Sequence, residues 1–217
     1  MQTLVTVEDL YLSYPLASGI RVMVLRGVSF TAGRSGLLAL VGPSGSGKTS
    51  LIRVLLGLKE PDAGLVRVLG MIPWEEHKKV RRNIGYLSQE GLLVPWLSIW
   101  ENIMLYLVGR GKSVEGRRDR IMEYARVLDI EKVIHKKPPQ LSGGEQRRAE
   151  LLLALSDDNP IYVLDEPTAM VDRERASSII KLLKSISEER LVITATHDPW
   201  LVDAADITVD LGSYAHR

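Results

Sequence analysis

Eight consecutive residues carry the clearest chemical signal in this chain, because they fit the spacing G-x-x-x-x-G-K-[ST] at every fixed position. They are Gly42, Pro43, Ser44, Gly45, Ser46, Gly47, Lys48 and Thr49. Glycines in this pattern let the backbone wrap around a phosphate chain with its N–H groups pointing inward. The Lys48 ammonium group would reach the β- and γ-phosphates, and the Thr49 hydroxyl would bind Mg²⁺. The motif, together with Ser50 directly after it, predicts a site for a nucleoside triphosphate and Mg²⁺.

The carboxylates of Asp165 and Glu166 form a second candidate, because they follow the apolar run 161–164. In an open α/β sheet, ligands bind at the carboxyl ends of the strands. Asp165 is placed to hold Mg²⁺ directly or through water, and Glu166 to polarise a water for in-line attack on the γ-phosphate. Acidic residues also end many strands before a turn, here at Pro167. Only together with the phosphate loop does the pair predict nucleotide hydrolysis.

Residues 141–146 read L-S-G-G-E-Q and carry a third signal. Ser142 and Glu145 have the spacing of a capping box, which indicates a helix N-terminus. A capping box does not explain Gly143 and Gly144, which lower helix propensity in the first turn. Glycines there let a bulky anion approach the exposed amides at the positive end of the helix dipole. The chain is thus predicted to have two phosphate-binding helix starts, although one nucleotide needs only one from its own loop.

Taken together, these motifs resemble those of the ATP-binding cassette (ABC) ATPases, and the resemblance covers essentially all 217 residues. The phosphate loop, the signature at 141–145 and the strand before Asp165 occur in the family's order and at similar separations. Four smaller motifs also match the family. They are Tyr14 as the aromatic residue that stacks on adenine, Gln89 of the Q-loop, Asp172 of the D-loop and the switch histidine His197. Tyr11 is an alternative to Tyr14 as the stacking residue.

The resemblance implies hydrolysis of ATP with Mg²⁺ as cofactor. The implied catalytic residues are Glu166, His197, Gln89 and Lys48, and the residues implied at the metal are Thr49, Gln89 and Asp165. Two cassettes, identical or closely related, would pack head to tail with each ATP between one phosphate loop and the other chain's signature. The nucleotide contacts implied outside the phosphate loop are Tyr14, Ser142, Gly143, Gly144 and Asp172.

The pattern after the signature departs from the family pattern. Arg148 matches a family arginine, whereas Glu150 and Leu153 replace a usual alanine and a usual arginine. The D-loop reads A-M-V-D at 169–172, where S-A-L-D is typical. These are positions of helix packing and dimer contact, so the departures bear on subunit pairing more than on ATP binding.

The pattern of apolar residues predicts the elements that position these motifs. Runs at 37–41, 84–88, 161–164, 191–196 and 207–211 predict strands, and helical patterns alternate with them, so a largely parallel sheet with helices on both faces is expected. Alternating residues in 1–30 predict short antiparallel strands. The resemblance implies one α/β domain over 1–217, with a P-loop NTPase (RecA-like) core, an N-terminal antiparallel β subdomain and a helical subdomain inserted at about 90–155.

Composition restricts the functional classes. The chain has 28 basic and 27 acidic residues, so no strong field predicts a nucleic-acid partner. It has no cysteine, which excludes disulfides and thiolate chemistry. The first residues do not form a secretory signal, and no apolar run approaches the ~18 residues of a membrane span. We expect a cytoplasmic protein, held at the inner face of the cell membrane by a membrane partner.

Three classes of cassette remain open at this stage. The first is the ATPase subunit of a membrane transporter, whose partner would dock on the apolar segment 91–100 with Trp96 and Trp100, next to Gln89. The second is a non-transport regulator of a membrane complex, of the cell-division type. The third acts on DNA or ribosomes, but the coiled coils, zinc modules or tandem cassettes of such relatives are not in this sequence. The transporter subunit is the favoured hypothesis.

Overall fold

The structure is a computed structural model that describes residues 3–16 and 19–215. Its strands in chain order are β1 (Val5–Pro15), β2 (Arg21–Ala32), β3 (Gly36–Val41), β4 (Ala63–Val68), β5 (Ile84–Leu87), β6 (Ile161–Asp165), β7 (Leu191–Ala195) and β8 (Ile207–Asp210). Its helices are α1 (Lys48–Leu55), α2 (His77–Arg82), α3 (Ile99–Gly109), α4 (Arg118–Val127), α5 (Gly143–Leu155), α6 (Arg173–Ser187), α7 (Pro199–Asp203) and α8 (Gly212–Ala215).

The strands form two sheets. In the five-stranded sheet the order is β5-β6-β7-β3-β8 and all the pairs are parallel. In the three-stranded sheet β1 lies between β2 and β4, and both pairs are antiparallel. The predicted P-loop NTPase fold, with its parallel sheet, antiparallel N-terminal sheet and helices, is confirmed.

The antiparallel strands are longer than the short strands predicted for residues 1–30, with 11 residues in β1 and 12 in β2. Their pairing shifts register three times, between Val7 and Ser13. Asp9 and Gly27 have positive φ, as bulges in a ladder often require. Each shift interrupts the alternation of apolar and polar residues, which is why continuous strands look like short pieces in the sequence.

Alternate residues of the parallel strands pack into different hydrophobic cores. In β6, Ile161 and Val163 belong to a core shared with α1 and the antiparallel sheet. Tyr162 and Leu164 belong to a second core, which is filled by α3, α4, α5 and α6. Both faces of the sheet are therefore covered, as is required of a parallel sheet whose strands are almost continuously apolar.

The segment between β5 and β6 holds α3, α4 and α5, where the helical part was predicted. A buried carboxylate attaches it to the strands: Asp157 accepts hydrogen bonds from Arg110 at 3.2 Å and from Arg117 at 3.1 Å. Arg110 also donates to the main-chain oxygens of Arg82 and Ile84, next to β5. Within the described ranges, no helix combines the length and the apolar character needed to cross a membrane.

The carboxyl ends of four adjacent strands meet at one edge of the sheet. Leu87 of β5 pairs with Leu164, Asp165 of β6 pairs with Ala195, and Ala195 pairs with Leu40 of β3. The loops that leave these strands carry the phosphate loop, Gln89, Glu166 and His197, but not the signature. Since all four strands run in the same direction, the topology brings the motifs together.

Candidate active site

A cleft of about 420 Å³ opens at this edge of the sheet. Residues from the loops after β3, β5, β6 and β7, from α1 and from the antiparallel sheet line it. They are Tyr14, Val24, Ser44, Gly45, Ser46, Gly47, Lys48, Thr49, Ser50, Arg53, Gln89, Asp165, Glu166 and His197. Of the predicted catalytic and metal residues, the cleft brings together all: Lys48, Thr49, Gln89, Asp165, Glu166 and His197.

The phosphate loop has the geometry that its glycines predict. Gly47 caps α1 with φ 96° and no side-chain cap. A Cβ atom there would lie 2.6 Å from the Leu25 side chain and 3.0 Å from that of Val24, so only glycine fits. The buried hydroxyl of Ser46 has no hydrogen-bond partner among the described residues. The loop thus offers free backbone amides at a helix start and an unsatisfied hydroxyl, which suits a phosphate chain.

Lys48, Thr49 and Asp165 form the floor of the cleft. The Lys48 ammonium donates to the Gly42 carbonyl at 2.7 Å and to the Pro43 carbonyl at 3.2 Å, although neither of these two residues lines the cleft itself. The Thr49 hydroxyl donates to Oδ2 of Asp165 at 3.0 Å. Burial lowers the pKa of Lys48 and raises the pKa of Asp165, against the attraction between unlike charges. Both groups would gain from counter-charges, phosphate for the lysine and a cation for the carboxylate.

Glu166 stands at the end of β6 in an unusual backbone conformation, with φ 51°. Its N–H donates to the Ala195 carbonyl at 2.9 Å, and its carboxylate accepts from the backbone N–H of His197 at 3.4 Å. The His197 Nε2 atom lies 3.7 Å from Oε1 of Glu166. Burial raises the pKa of Glu166. Strain of this kind is typical of functional positions, and here it turns the carboxylate into the cleft.

A metal at this site would need ligands in addition to the side chains of the cleft. The described chain contains no group of three or more His, Cys, Asp or Glu side chains able to hold a metal alone. Thr49 and Asp165 provide two adjacent oxygen ligands of the kind that Mg²⁺ prefers, and Gln89 adds an amide oxygen on the cleft wall. This donor set fits Mg²⁺, which usually combines one or two carboxylates with phosphate oxygens and water.

A profile of the ABC transporter family matches residues 25–169, from β2 through the phosphate loop and signature to the D-loop. The chain belongs to this family. The resemblance seen in the motifs is therefore confirmed, and with it the assignment of the chain as an ATP-binding ATPase of the ABC type.

Relatives and solved structures agree with this assignment. The lipoprotein-releasing system ATP-binding protein LolD 1 of Rhodopirellula baltica is 34% identical, over 92% of this chain and 90% of its own length. The macrolide export ATP-binding/permease protein MacB of Chlorobium phaeobacteroides is 33% identical over 91% of this chain, but this chain spans 31% of it. A dimeric structure of the ATP-binding cassette MJ0796, in a post-hydrolysis state with ADP and Pi, has a TM-score of 0.85 and 28% identity, and covers 96% of this chain and 95% of its own.

In this cassette, Tyr14 and not Tyr11 lines the cleft. Tyr14 is half-buried at the end of β1, and the Lys59 ammonium lies 5.6 Å from the centre of its ring. Tyr11 is exposed and lines a different depression, with Asp9 and Met23. Of the two candidates, only Tyr14 is thus placed where it could stack on a base in the cleft.

The signature lies outside the cleft of its own chain. Ser142 is the N-cap of α5, where its hydroxyl accepts from the Glu145 N–H at 3.3 Å and the Glu145 carboxylate accepts from the Ser142 N–H at 2.8 Å. The predicted capping box is therefore present. Gly143 and Gly144 form the first turn and face the D-loop, since a Cβ atom at Gly144 would lie 2.9 Å from the Met170 carbonyl. None of these four residues is among those that line the cleft.

The D-loop aspartate is held within its own chain. The Asp172 carboxylate accepts from the Arg175 N–H at 3.0 Å and thereby caps α6. It also forms an ion pair with the Arg175 guanidinium. Asp172 does not line the cleft, whereas Met170, beside the signature, is 81% exposed. The contact with nucleotide that the resemblance implies for Asp172 would have to involve a second chain.

Two arginines at or beside the site were not among the predicted candidates, Arg53 and Arg147. Arg53 lines the cleft one turn after Thr49 on α1, and this spacing could have identified it. Arg147 is buried and donates to the main-chain oxygens of Ser88 and Glu166. Arg148 matches the family arginine in sequence, and its neighbour Arg147 is the side chain that reaches the strand ends.

The departures from the family pattern have structural explanations. Leu153 is buried in the second hydrophobic core, so its side chain packs where an arginine is usual. Glu150 is also buried and forms an ion pair with Arg147 at 3.1 Å. The two atypical side chains of α5 are therefore accommodated inside this chain, Leu153 by apolar packing and Glu150 by its ion pair.

Proposed function

We propose that the whole chain works as one cassette, which powers a membrane transporter by ATP-driven, head-to-tail pairing with a second cassette. The observation that carries this proposal is the separation of two anion-binding helix starts. The N-terminus of α1 opens into the cleft, whereas the N-terminus of α5 lies outside it, with Ser142 and Gly143 exposed. A nucleotide in the cleft of one chain would be completed by the signature of another.

The proposed roles follow from the positions in the cleft. Lys48 and the loop amides bind the phosphates, and Tyr14 packs against the base. Thr49, Asp165 and Gln89 hold Mg²⁺, which when bound neutralises phosphate charge and orients the γ-phosphate. Glu166 accepts a proton from the attacking water. His197, whose Nε2 atom lies 3.7 Å from the Glu166 carboxylate, orients Glu166 and this water. The signature residues Ser142, Gly143 and Gly144, together with Asp172, act on the partner's nucleotide.

A membrane subunit is the proposed second partner. Large apolar side chains are exposed after Gln89 and on the outer side of α3. They are Leu92, Trp96, Met104, Leu105 and Val108, and Trp96 is 71% exposed. Trp100 contributes less, because it is half-buried and the Arg118 guanidinium lies 5.4 Å from its ring. Such a surface next to the Q-loop suits an apolar helix of a membrane partner, which would keep the cassette at the inner face of the membrane.

The relatives favour transport over the alternative of a non-transport regulator of the cell-division type. One relative is named for lipoprotein release and another for macrolide export, and the second joins its cassette to a permease in one chain. Both names describe the release or export of a molecule. We propose the same class of activity for this cassette.

The test is Glu166→Gln, which keeps the size of the side chain but removes its charge and its capacity to accept a proton. ATP binding should remain intact while hydrolysis slows by ~10²–10⁴-fold, the usual contribution of a general base. ATP should then persist between two chains, so size-exclusion chromatography should show a dimer only with ATP. Glu123→Gln, at an exposed position on α4, is the control and should hydrolyse ATP at the parent rate.

The pairing is tested by adding Ser142→Arg to Glu166→Gln. The larger side chain would crowd the γ-phosphate of the partner's nucleotide, so the dimer should be lost while each chain still binds ATP. Hydrolysis at the parent rate in Glu166→Gln would exclude Glu166 as the base. A Glu166→Gln protein that binds ATP but stays monomeric at high concentration would contradict the paired site.

A further inference from the structure

A buried ion pair on α5 lies directly behind the catalytic cleft. Arg147 and Glu150 are three residues apart on the helix, and their side chains are only 7% and 9% exposed. The Arg147 Nη1 atom donates to Oε2 of Glu150 at 3.1 Å. Buried charges persist in proteins only where they are paired and hydrogen-bonded, so this pair requires a structural or functional reason.

The Arg147 guanidinium makes five hydrogen bonds, four of them to the ends of two strands. Besides Glu150, it donates to the Ser88 carbonyl at 2.7 Å, to the Glu166 carbonyl at 3.2 Å and 3.1 Å, and to the Asp165 carbonyl. These five hydrogen bonds equal the number of N–H donors in a guanidinium group. A single side chain therefore fixes the main chain immediately before Gln89 and at both carboxylates of the cleft.

The other oxygen of Glu150 lies against the Q-loop. A Cβ atom at Gly91 would lie only 2.3 Å from Oε1 of Glu150, and Gly91 has φ 77°. The two residues also line one cavity of about 320 Å³, and Gln89 and Glu166 form part of its wall. The carboxylate is thus in contact with Arg147 on one side and with the loop that carries Gln89 on the other.

We propose that Glu150 is a positioning residue for ATP hydrolysis, which acts through Arg147 and Gly91 to hold Gln89 and Glu166 in their reactive geometry. The proposal rests on the roles proposed above for Gln89 and Glu166. Glu150 is not among the residues that line the nucleotide cleft. Its effect is therefore expected on the rate of the chemical step and not on nucleotide affinity.

The charge of Glu150 matters because it is the counter-ion of the buried Arg147 guanidinium. A buried guanidinium without its counter-ion is unstable, and it would turn towards water or attract another carboxylate. The backbone that Arg147 holds includes Glu166, whose φ of 51° persists only while the surrounding residues maintain it. Loss of the pair would therefore let Glu166 relax, and displacements of about 1 Å in a reacting group are known to cost on the order of 10²-fold in rate.

The first test is Glu150→Gln, which keeps the shape and removes the charge. We expect kcat to fall by about 10- to 100-fold while KM and the affinity for a fluorescent ATP analogue change less than about twofold. Arg147→Lys should have a similar effect, because an ammonium group has three donors and not a planar fork of five.

The matched control is Asp157→Asn, a second buried carboxylate that pairs with two arginines and belongs to the helical segment. Both variants should lower the melting temperature, but only Glu150→Gln should lower kcat. A parent-like kcat in Glu150→Gln, or an equal loss in Asp157→Asn, would overturn the proposal.

The contact with the Q-loop provides a second test that does not depend on how Glu150→Gln folds. Gly91→Ala adds a Cβ atom that displaces Glu150, whereas Gly70→Ala adds one at φ 76° with open space around it. The two variants share the same backbone strain, so only Gly91→Ala should lower kcat, by about tenfold at constant ATP affinity. Equal rates in the two variants would contradict the contact.

Glu166→Gln in the same assay distinguishes the two proposals. If Glu166→Gln retains hydrolysis, the proposed function fails. If Glu166→Gln is inactive while Glu150→Gln and Gly91→Ala both hydrolyse ATP at the parent rate, only the positioning role of Glu150 fails.

Discussion

The two glycine-rich helix starts of this cassette are built in different ways. At α1 the N-cap is Gly47, in the left-handed region and with no side chain to cap the helix. At α5 the N-cap is Ser142, in an extended conformation and with a complete capping box to Glu145. The α1 start is buried within the cleft, whereas Ser142 and Gly143 are exposed.

The difference indicates when each start can bind an anion. The α1 start leaves its amides unsatisfied beside Lys48, so it suits phosphate within a single chain. The capping box of α5 satisfies the Glu145 amide, and helix geometry leaves those of Gly143 and Gly144 without an intrahelical partner. The α5 start is thus stable in water by itself but keeps two donors for the anion that, in our proposal, a second chain presents.

The largest expected contrast is in ATP affinity. Lys48→Ala removes the ammonium group from the cleft floor and should weaken ATP binding on the order of 100-fold, the worth of strong charged hydrogen bonds. Ser142→Arg should leave affinity within about twofold in dilute, unpaired protein, because Ser142 does not line that cleft. Fluorescent-nucleotide titration measures both. Equal losses would mean that the two starts share one site within a chain.

Alanine substitutions at Gly47 and Gly143 should change the free energy of unfolding in opposite directions. Gly47→Ala meets a left-handed backbone and a Cβ contact of 2.6 Å, so the free energy of unfolding should fall by about 2 kcal/mol, or about 4–8 °C in melting temperature. Gly143→Ala lies in a helical turn, where the nearest atom to a new Cβ is 3.9 Å away, and should gain about 0.5 kcal/mol. Thermal unfolding without nucleotide compares them. Changes of the same sign would remove the distinction between the two starts.

The smallest difference between two variants is expected at the cap of α5. Ser142→Ala removes the hydroxyl that caps α5 and should lower the free energy of unfolding by about 1 kcal/mol, or about 2–4 °C in melting temperature. Ser142→Gly should cost only a few tenths of a kcal/mol, because glycine is itself a tolerated N-cap. Differential scanning calorimetry resolves the two. A larger loss for glycine than for alanine would show that the cap does not stabilise α5.

Local signals in the sequence predicted the parts of the fold that depend on neighbouring residues. The helical pattern between the predicted strands at 161–164 and 191–196 corresponds to α6, which begins after Asp172, whose side chain caps it. The phosphate loop was identified because its glycines, Lys48 and Thr49 are adjacent in the chain. The parallel strands were found because both faces of the sheet are covered, so each strand is a short apolar run.

The parts that depend on distant residues were missed. Arg147 is charged and lies on a helix, a pattern that normally indicates an exposed side chain, yet its partners are carbonyls 18, 19 and 59 residues away. Glu150 is buried only because Arg147 and Gly91 lie beside it. The continuous course of β1 was hidden by register shifts that only its pairing with β2 reveals. Burial of charge and strand bulges are tertiary properties, and a pattern of residue types does not contain them.

The strand order has a consequence for folding during translation. The phosphate loop follows β3. The two strands that pair with β3, β7 and β8, come from the C-terminal part of the sequence. On the ribosome, the loop is translated early but the strand that holds it stays unpaired until these late strands emerge. Such long-range pairing slows folding. For most of translation, a nascent cassette therefore contains the phosphate loop but not yet the sheet that positions this loop in the nucleotide site.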